Sequence, residues 1–478
     1  MPRRVTLITA IAFLFPVAAH AQFVEPDVTV LQNWTGTGTF GWAVADMADI
    51  DGDGVREAII GAPTFGTSPR TAGRVFVRSG RTGAILFTFT GTVANAQLGY
   101  AIADAGDVNG DGVSDIIAGA PLFGKGRAQV FSGADGSVIW TIDGEVSGDT
   151  FGSAVCSAGD IDGDGHSDFA VGAPAHASST GRVYIYSGAT GLLIRSYDGT
   201  SGSRFGVGIA LAGDINHDGK PDIIVGAPHG GTSPFGRAYV YSGADGSLLL
   251  PPLTPDTATT SAFGVFFVAG VGDVNADGTP DLYVGDYNDS TNGAGSGKAY
   301  VFSGADGSLL YTFIGPAGAG LGPGRGAGDI NRDGHADLII GSYTSSAGGP
   351  TAGKIEVYSG ADGSVLRTIT HTIAGSQLGF DAVGLGDVNG DCSPDFLCSA
   401  ANGNRVYVIA GSPIPIPGDL NCDCQVNTSD IAPFVLALLD PAAYQLANPS
   451  CDIHRADLNG DTLIDGSDVA ELVRRLVP

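Results

Sequence analysis

One unit recurs seven times along this chain, and each copy carries oxygen-bearing side chains at alternate positions of a short loop. The unit is centred on Asp-x-Asp/Asn-x-Asp, with a further acid four residues later. The first Asp of the successive copies is Asp49, Asp107, Asp160, Asp214, Asp273, Asp329 and Asp387. The intervals are 58, 53, 54, 59, 56 and 58 residues, longer than WD-type repeats. An aromatic residue or Leu followed by Gly precedes the loops, as in Phe40-Gly41, Phe151-Gly152, Phe205-Gly206 and Phe263-Gly264. An apolar run follows each loop and ends in Gly-Ala-Pro in four copies, for example Gly61-Ala62-Pro63 and Gly226-Ala227-Pro228. Next come an alternating stretch such as Val183 to Tyr186, a turn such as Ser132 to Gly136 or Ser303 to Gly307, and a last stretch such as Val138 to Ile142. Short alternating runs bounded by Gly, Ser and Asp read as strands. Four strands per unit and seven units predict an all-β, seven-bladed β-propeller over residues 22–410.

Such a ring must close. The seventh unit has its third strand at Val406 to Ile409 and no fourth. Val28-Thr29-Val30-Leu31, near the other end, stands where fourth strands precede every later unit. This segment is expected to complete blade seven. Residues 411–417 alternate Pro with other residues, the pattern of an extended spacer. Beyond it the period becomes helical, with Ile431, Phe434, Val435 and Leu438 on one face and Val469, Leu472, Val473 and Leu476 on another. Residues 418–478 therefore read as a small duplicated helical module.

Calcium takes six to eight hard oxygen ligands from a loop that turns sharply at its sixth position. The seven loops offer Asp49, Asp51, Asp53 and Glu57; Asp107, Asn109, Asp111 and Asp115; Asp160, Asp162, Asp164 and Asp168; Asp214, Asn216, Asp218 and Asp222; Asp273, Asn275, Asp277 and Asp281; Asp329, Asn331, Asp333 and Asp337; and Asp387, Asn389, Asp391 and Asp395. In the last, Cys392 replaces the turn Gly. The tail adds two twelve-residue loops: Asp419, Asn421, Asp423, Asn427 and Asp430, then Asp457, Asn459, Asp461, Asp465 and Asp468. Cys424 and Thr462 stand at their sixth positions. A metal-free reading, Asp/Asn-Gly hairpin turns, explains the glycines but not the convergent acids. The expectation is up to nine Ca2+ sites.

Charge agrees. The 478 residues include 50 acidic and 23 basic side chains, a net charge of −27. Nucleic acid is excluded as a partner, because its binding rests on Lys and Arg. Hydrophobic residues make up 43% and charged ones 15%, which excludes general disorder. Arg3-Arg4, an apolar stretch from Val5 to Ala19 and Ala19-His20-Ala21 read as a signal peptide over residues 1–21, and hence as a secreted, extracellular or cell-surface protein; an uncleaved anchor is the alternative. No other segment is apolar enough to span a membrane. Cys422 and Cys451 flank the first tail helix and are expected to pair, Cys156 reads as a buried strand residue, and Cys392, Cys398 and Cys424 are unassigned. His166, His217 and His335 read as solvent-facing loop residues.

The Phe-Gly and Gly-Ala-Pro units with their Asp-rich loops resemble the FG-GAP repeats of integrin α-subunit propellers, from about Val28 to Ala410. The last three units depart by losing Gly-Ala-Pro, as at Gly285-Asp286-Tyr287. The tail resembles a type I dockerin, an EF-hand-like module that docks polysaccharide-degrading enzymes onto cohesins. Its recognition positions would be Thr428-Ser429 and Gly466-Ser467. The resemblances imply calcium in blade hairpins and a cohesin-bearing partner; a calcium-stiffened cap is the other role open to the tail. The chain contains no His-Glu-x-x-His, Gly-x-Ser-x-Gly or phosphate loop. The leading reading is a secreted, non-catalytic, calcium-loaded binding or adhesion protein, its propeller facing an extracellular protein or glycan. A glycan hydrolase or lyase of a polysaccharide-degrading system, and a structural surface-layer component, remain the alternatives.

Overall fold

The computed structural model describes residues 22–66, 71–229, 235–256, 262–412, 416–449 and 451–476. The expected signal peptide lies outside them. Among the described residues the strands form seven antiparallel sheets, six of four strands and one of three. Inner strands touch one another in order round the ring, and the seventh returns to the first. Blade two shows the pattern: Ala101–Gly106, Asp115–Ala120, Arg127–Phe131 and Val138–Asp143 from axis to rim. Blade four is the exception. Its fourth strand is reduced to the bridges Tyr241↔Leu248 and Ala238↔Leu253, with Pro251-Pro252 between. Proline cannot donate to a ladder, so the rim strand breaks there.

The second strand of every blade is buried along its whole length, as in Asp115–Ala120 and Asp395–Ala400. That accounts for its continuous apolar text, since neighbouring blades cover both faces. The two repeat motifs meet at this contact. In blade two, Gly99 N–H donates to the Gly119 carbonyl at 3.0 Å. A Cβ on Gly119 would collide with the Gly152 carbonyl oxygen of the next blade. Phe-Gly and Gly-Ala-Pro are thus two halves of one inter-blade joint. In blade seven Ser399 takes the Gly position, and its hydroxyl donates to the Gly41 carbonyl.

The ring closes as the sequence implies. Val30–Thr35 pairs with Arg405–Ile409, with Trp34 opposite Val406. The preceding residues continue onto blade six, where Phe23 bridges His371 and Val24 N–H donates to the Thr370 carbonyl at 2.9 Å. The N-terminal segment therefore stitches two blades. Deleting residues 22–32 should expose the Arg405–Ile409 edge, and open edges pair with other chains. Size-exclusion chromatography should show aggregates in place of the monomer; an unaltered elution profile and melting curve would contradict this role.

The tail contains helices Ile431–Leu439 and Val469–Leu476, where the periodicity placed them, and an additional helix Pro441–Ala447. Leu420, Phe434, Tyr444, Leu458 and Leu472 form its core, and the Tyr444 hydroxyl donates to the Leu420 carbonyl at 2.9 Å. Cys422 and Cys451 are bonded, as expected, and Cys156 and Cys398 are free and buried. Cys392 is bonded to Cys424, with Cα atoms 5.3 Å apart. This corrects the picture of a tail held off by a spacer: blade seven's loop is covalently joined to the first tail loop. Gly411, counted with the linker, donates to Asp395 Oδ1 at 2.7 Å and belongs to blade seven. No helix among the described residues is long and apolar enough to cross a membrane.

Candidate functional site

Each Asp-rich loop connects the inner strand of a blade to its second strand, so all seven lie at the same end of the ring. Blade three shows the geometry. Asp160 Oδ1 accepts from Gly163 N–H at 2.6 Å, and Oδ2 from Gly165 N–H at 3.1 Å. Asp162 and Asp164 accept from the backbone two residues on, at 3.2 and 3.0 Å. The chain turns at Gly165, φ +89°. The sixth residue of every loop has positive φ, including Cys392 at 72°, Cys424 at 71° and Thr462 at 71°. L side chains there cost about 1 kcal/mol each, so the turn is enforced even without Gly.

The closing acids are the buried members of the set. Asp168 is fully buried; its Oδ2 accepts from Ile161 N–H at 3.0 Å and its Oδ1 from Gly188 N–H at 2.9 Å. Gly188 belongs to the Ser-Gly turn leading to the fourth strand. The equivalent acids, from Glu57 to Asp395, tie their loops to the same turn. Burial pushes the Asp115, Asp168 and Asp395 carboxyls up to about 6. Burial also raises Glu57, Asp222, Asp281 and Asp337. Asp49 is lowered instead, chiefly by the Gly54 N–H.

Asp49, Asp51 and Asp53 bring carboxylate oxygens within 4.8 Å of one another, as do Asp160, Asp162 and Asp168. In the remaining propeller loops the third residue is Asn, whose amide donates to the fifth: Asn109 to Asp111 at 2.8 Å, Asn216 to Asp218 at 2.8 Å, Asn275 to Asp277 at 2.8 Å, Asn331 to Asp333 at 2.7 Å and Asn389 to Asp391 at 3.0 Å. Their first residues, Asp107, Asp214, Asp273, Asp329 and Asp387, accept from the N–H of the sixth. This is an oxygen donor set, suited to a hard divalent cation. Cys392 and Cys424 approach Asp387, but their sulfurs are spent in the disulfide.

The tail loops repeat one scheme. Asp430 Oδ1 accepts from Leu420 N–H and Asp468 Oδ1 from Leu458 N–H, both at 2.8 Å. Asn421 and Asn459 donate to Ser429 and Ser467 at 2.7 Å, so these hydroxyls are engaged within their own loops. The first loop differs in its first position: Asp419 is buried against Arg455, 2.9 Å away, which competes with any cation there.

Adjacent propeller loops are tied together. His166 Nδ1 lies 3.1 Å from the Val108 carbonyl, and His335 Nδ1 2.7 Å from that of Val274. Lys220 Nζ donates to the Asp160 carbonyl at 2.6 Å, and Arg332 donates to that of Cys392. His217 Nε2 meets the Thr279 hydroxyl at 3.2 Å. His217 is exposed, as expected of a solvent-facing loop residue, whereas for His166 and His335 that expectation is corrected. His166 and His335 are half-buried, and only the tertiary structure brings the preceding or following loop within reach.

The FG-GAP repeat model matches residues 99–138, 151–186 and 205–241, which are blades two to four. Three of the seven blades therefore match the FG-GAP repeat. The chain is 35% identical to integrin alpha-V of Gallus gallus over 209 residues, 39% of this chain and 20% of that protein. It is 31% identical to integrin alpha-8 of Homo sapiens over 228 residues, covering 44% and 20%. It is 34% identical to integrin alpha-E of Mus musculus over 218 residues, covering 41% and 18%. The chain thus spans about a fifth of the length of the curated relatives it matches.

The axial channel of the ring holds a cavity of about 780 Å3, lined from Trp42 and Phe380 at the start of the inner strands to Gly386 and Pro394 beside the Asp-rich loops. Where the inner strands begin, aromatic rings from blades one, two, five, six and seven cluster at its mouth, and Tyr100 of blade two reaches across to Phe266 of blade five. Ring centroids follow one another from Trp42 to Tyr100 at 5.5 Å, Phe266 at 6.4 Å, Phe267 at 6.4 Å, Tyr287 at 6.4 Å, Tyr343 at 6.2 Å, Phe380 at 5.7 Å and back to Trp42 at 5.0 Å. Sequence reasoning missed this cluster, although a signal was present. Trp42, Tyr100 and Phe380 directly follow the Gly of the Phe-Gly position, and Tyr287 and Tyr343 replace the Pro of Gly-Ala-Pro. The departures from the repeat make the cluster.

Proposed function

We propose that this chain is a secreted, calcium-loaded binding or adhesion protein, its ring presenting one end to an extracellular ligand and carrying its tail at the other. The observation that carries this reading is the division of the ring. Oxygen-donor loops and the stapled tail occupy one end, and a cluster of aromatic rings at the mouth of the axial cavity occupies the other. An adhesion or binding role agrees with the integrin-α-like FG-GAP repeats. Asp49 to Glu57 and the corresponding residues of the other six loops would hold calcium, with Asp457 to Asp468 the better of the two tail loops. Bound calcium supplies positive charge that offsets crowded carboxylates and cross-links each loop to its strand.

The tail is read as a dockerin-like module for a cohesin-type partner. A fixed cap on the ring is the second reading, and the Cys392–Cys424 bond favours it. Binding of the full chain to immobilised cohesin domains separates the two. Docking requires calcium-dependent retention that falls when Thr428 and Ser467 are replaced by bulky Arg. A calcium-loaded protein that no cohesin retains would leave the tail a cap.

A further inference from the structure

We propose that Gln22 is the first residue of the exported chain and that the hydroxyl of Tyr407, backed by His371, closes it into a pyroglutamyl ring. The proposal rests on the reading of the protein as secreted, with its signal peptide ending at Ala21.

A break in the repeat points to the place. Gly follows the fourth strand of every other blade in which that strand is complete: Gly36, Gly91, Gly144, Gly199 and Gly315. At the last four a Cβ would run into the carbonyl oxygens of Ala72, Lys125, Thr180 and Ser296 respectively. Blade six has His371 instead. It is fully buried, as is Tyr407 on blade seven. Phe23 packs edge-on against both rings, with centroids 5.3 and 5.4 Å away. His371 Nε2 lies 3.0 Å from the Tyr407 hydroxyl, which donates to Gln22 Oε1 at 3.1 Å. Tyr407 has one proton to give, and Gln22 takes it, so Nε2 is the protonated nitrogen of His371. Burial pushes His371 down to about 4 and keeps its ring neutral, with that single proton. The Gln22 carbonyl accepts from Thr372 N–H at 2.9 Å and holds the residue over this pair. A buried polar relay thus crosses two blades and ends on one side-chain amide.

Once the signal peptide is removed, that amide belongs to a residue with a free α-amine. The amine nitrogen attacks Cδ, and negative charge grows on Oε1, the atom to which Tyr407 donates. Donors placed where charge develops lower such barriers. The Cδ–Nε2 bond then breaks, and Nε2 leaves as ammonia with the proton lost by the attacking amine. Oε1 remains as the lactam carbonyl, still an acceptor for Tyr407. No oxidant or second substrate is consumed. The product removes the α-ammonium charge beside buried Phe23, where desolvation disfavours it.

Peptide mapping of the exported protein gives the first readout, with pyroglutamate expected at position 22. Uncyclised Gln22 at the terminus would overturn the proposal and leave secretion standing. A chain that starts at any other residue would overturn the cleavage point as well. The rate gives the second readout. Chain 22–478, released in calcium from a tag whose protease leaves Gln22 first, is followed by intact mass for the loss of ammonia. The folded protein should cyclise at least tenfold faster than the same chain in denaturant, at a rate that rises with pH up to about 8 as the amine loses its proton. Tyr407→Phe, which keeps the ring against Phe23, should fall to the unfolded rate. His371 is a positioning residue: His371→Gly, the residue of the repeat, should slow cyclisation severalfold, and His371→Gln, which keeps a donor, should recover part of the rate. Equal rates in folded and denatured protein would overturn the assignment whether or not the variants fold, as would an unaltered rate in folded Tyr407→Phe.

Discussion

Removing divalent cations should lower the melting temperature of the ring by about 10 °C or more. Thirty of the 50 acids lie in the nine loops, and carboxylates within a few ångströms repel when nothing offsets them. A ligand at a hundredfold excess over its Kd contributes about 2.7 kcal/mol per site, so four occupied sites contribute roughly 11 kcal/mol. For a domain of this size each kcal/mol moves the midpoint by about 1–2 °C, below the shift measured for smaller domains. The metal-free ring should also respond to pH in a definite direction. The closing carboxyls of Asp115, Asp168 and Asp395 sit near 6 in the fold, above the ordinary value of 3.8. Between those values the native state holds more protons than the unfolded chain, so stability falls as pH rises through this window. Chelated protein should therefore melt higher at pH 5 than at pH 7.5, and added calcium should matter most at pH 7.5. Scanning calorimetry with excess chelator and with calcium restored checks both statements. An unchanged curve in chelator would remove the metal from the loops.

Cutting the Cys392–Cys424 staple should turn one unfolding unit into two. The bond closes 32 residues, worth about 4 kcal/mol of chain entropy, and cross-links the first tail loop to blade seven. Replacing both cysteines by Gly severs it while restoring the residue that the sixth loop position favours, where φ is 72° and 71°. The ring should keep its midpoint, and the tail, with its small core and Cys422–Cys451 bond, should melt separately and earlier. Proteolysis within residues 411–417 should accelerate by an order of magnitude or more. A single transition at the original temperature, with the spacer still protected, would show that packing alone fixes the tail.

The staple also marks the limit of sequence reasoning. Cys392 and Cys424 were each legible as an oddity at a turn position, but their pairing depends on where the tail folds back. The same holds for His166, His335, Lys220 and Arg332, whose partners lie in neighbouring blades. No local pattern distinguishes a loop residue that faces water from one that faces the next loop.

What the sequence did determine was everything that repeats. The seven loops, the four-strand rhythm, the closing segment before Trp34 and the two tail helices follow from backbone requirements met residue by residue: turns, alternate faces and convergent oxygens. Tertiary structure alone decided what depends on the ring closing. It made Phe-Gly and Gly-Ala-Pro into one joint, and gathered Trp42, Tyr100, Tyr287, Tyr343 and Phe380 at the axis. Those residues are scattered over more than 300 positions of the chain. A circular arrangement makes them neighbours because every inner strand begins at the same end, and that geometry exists only once all seven blades are in place.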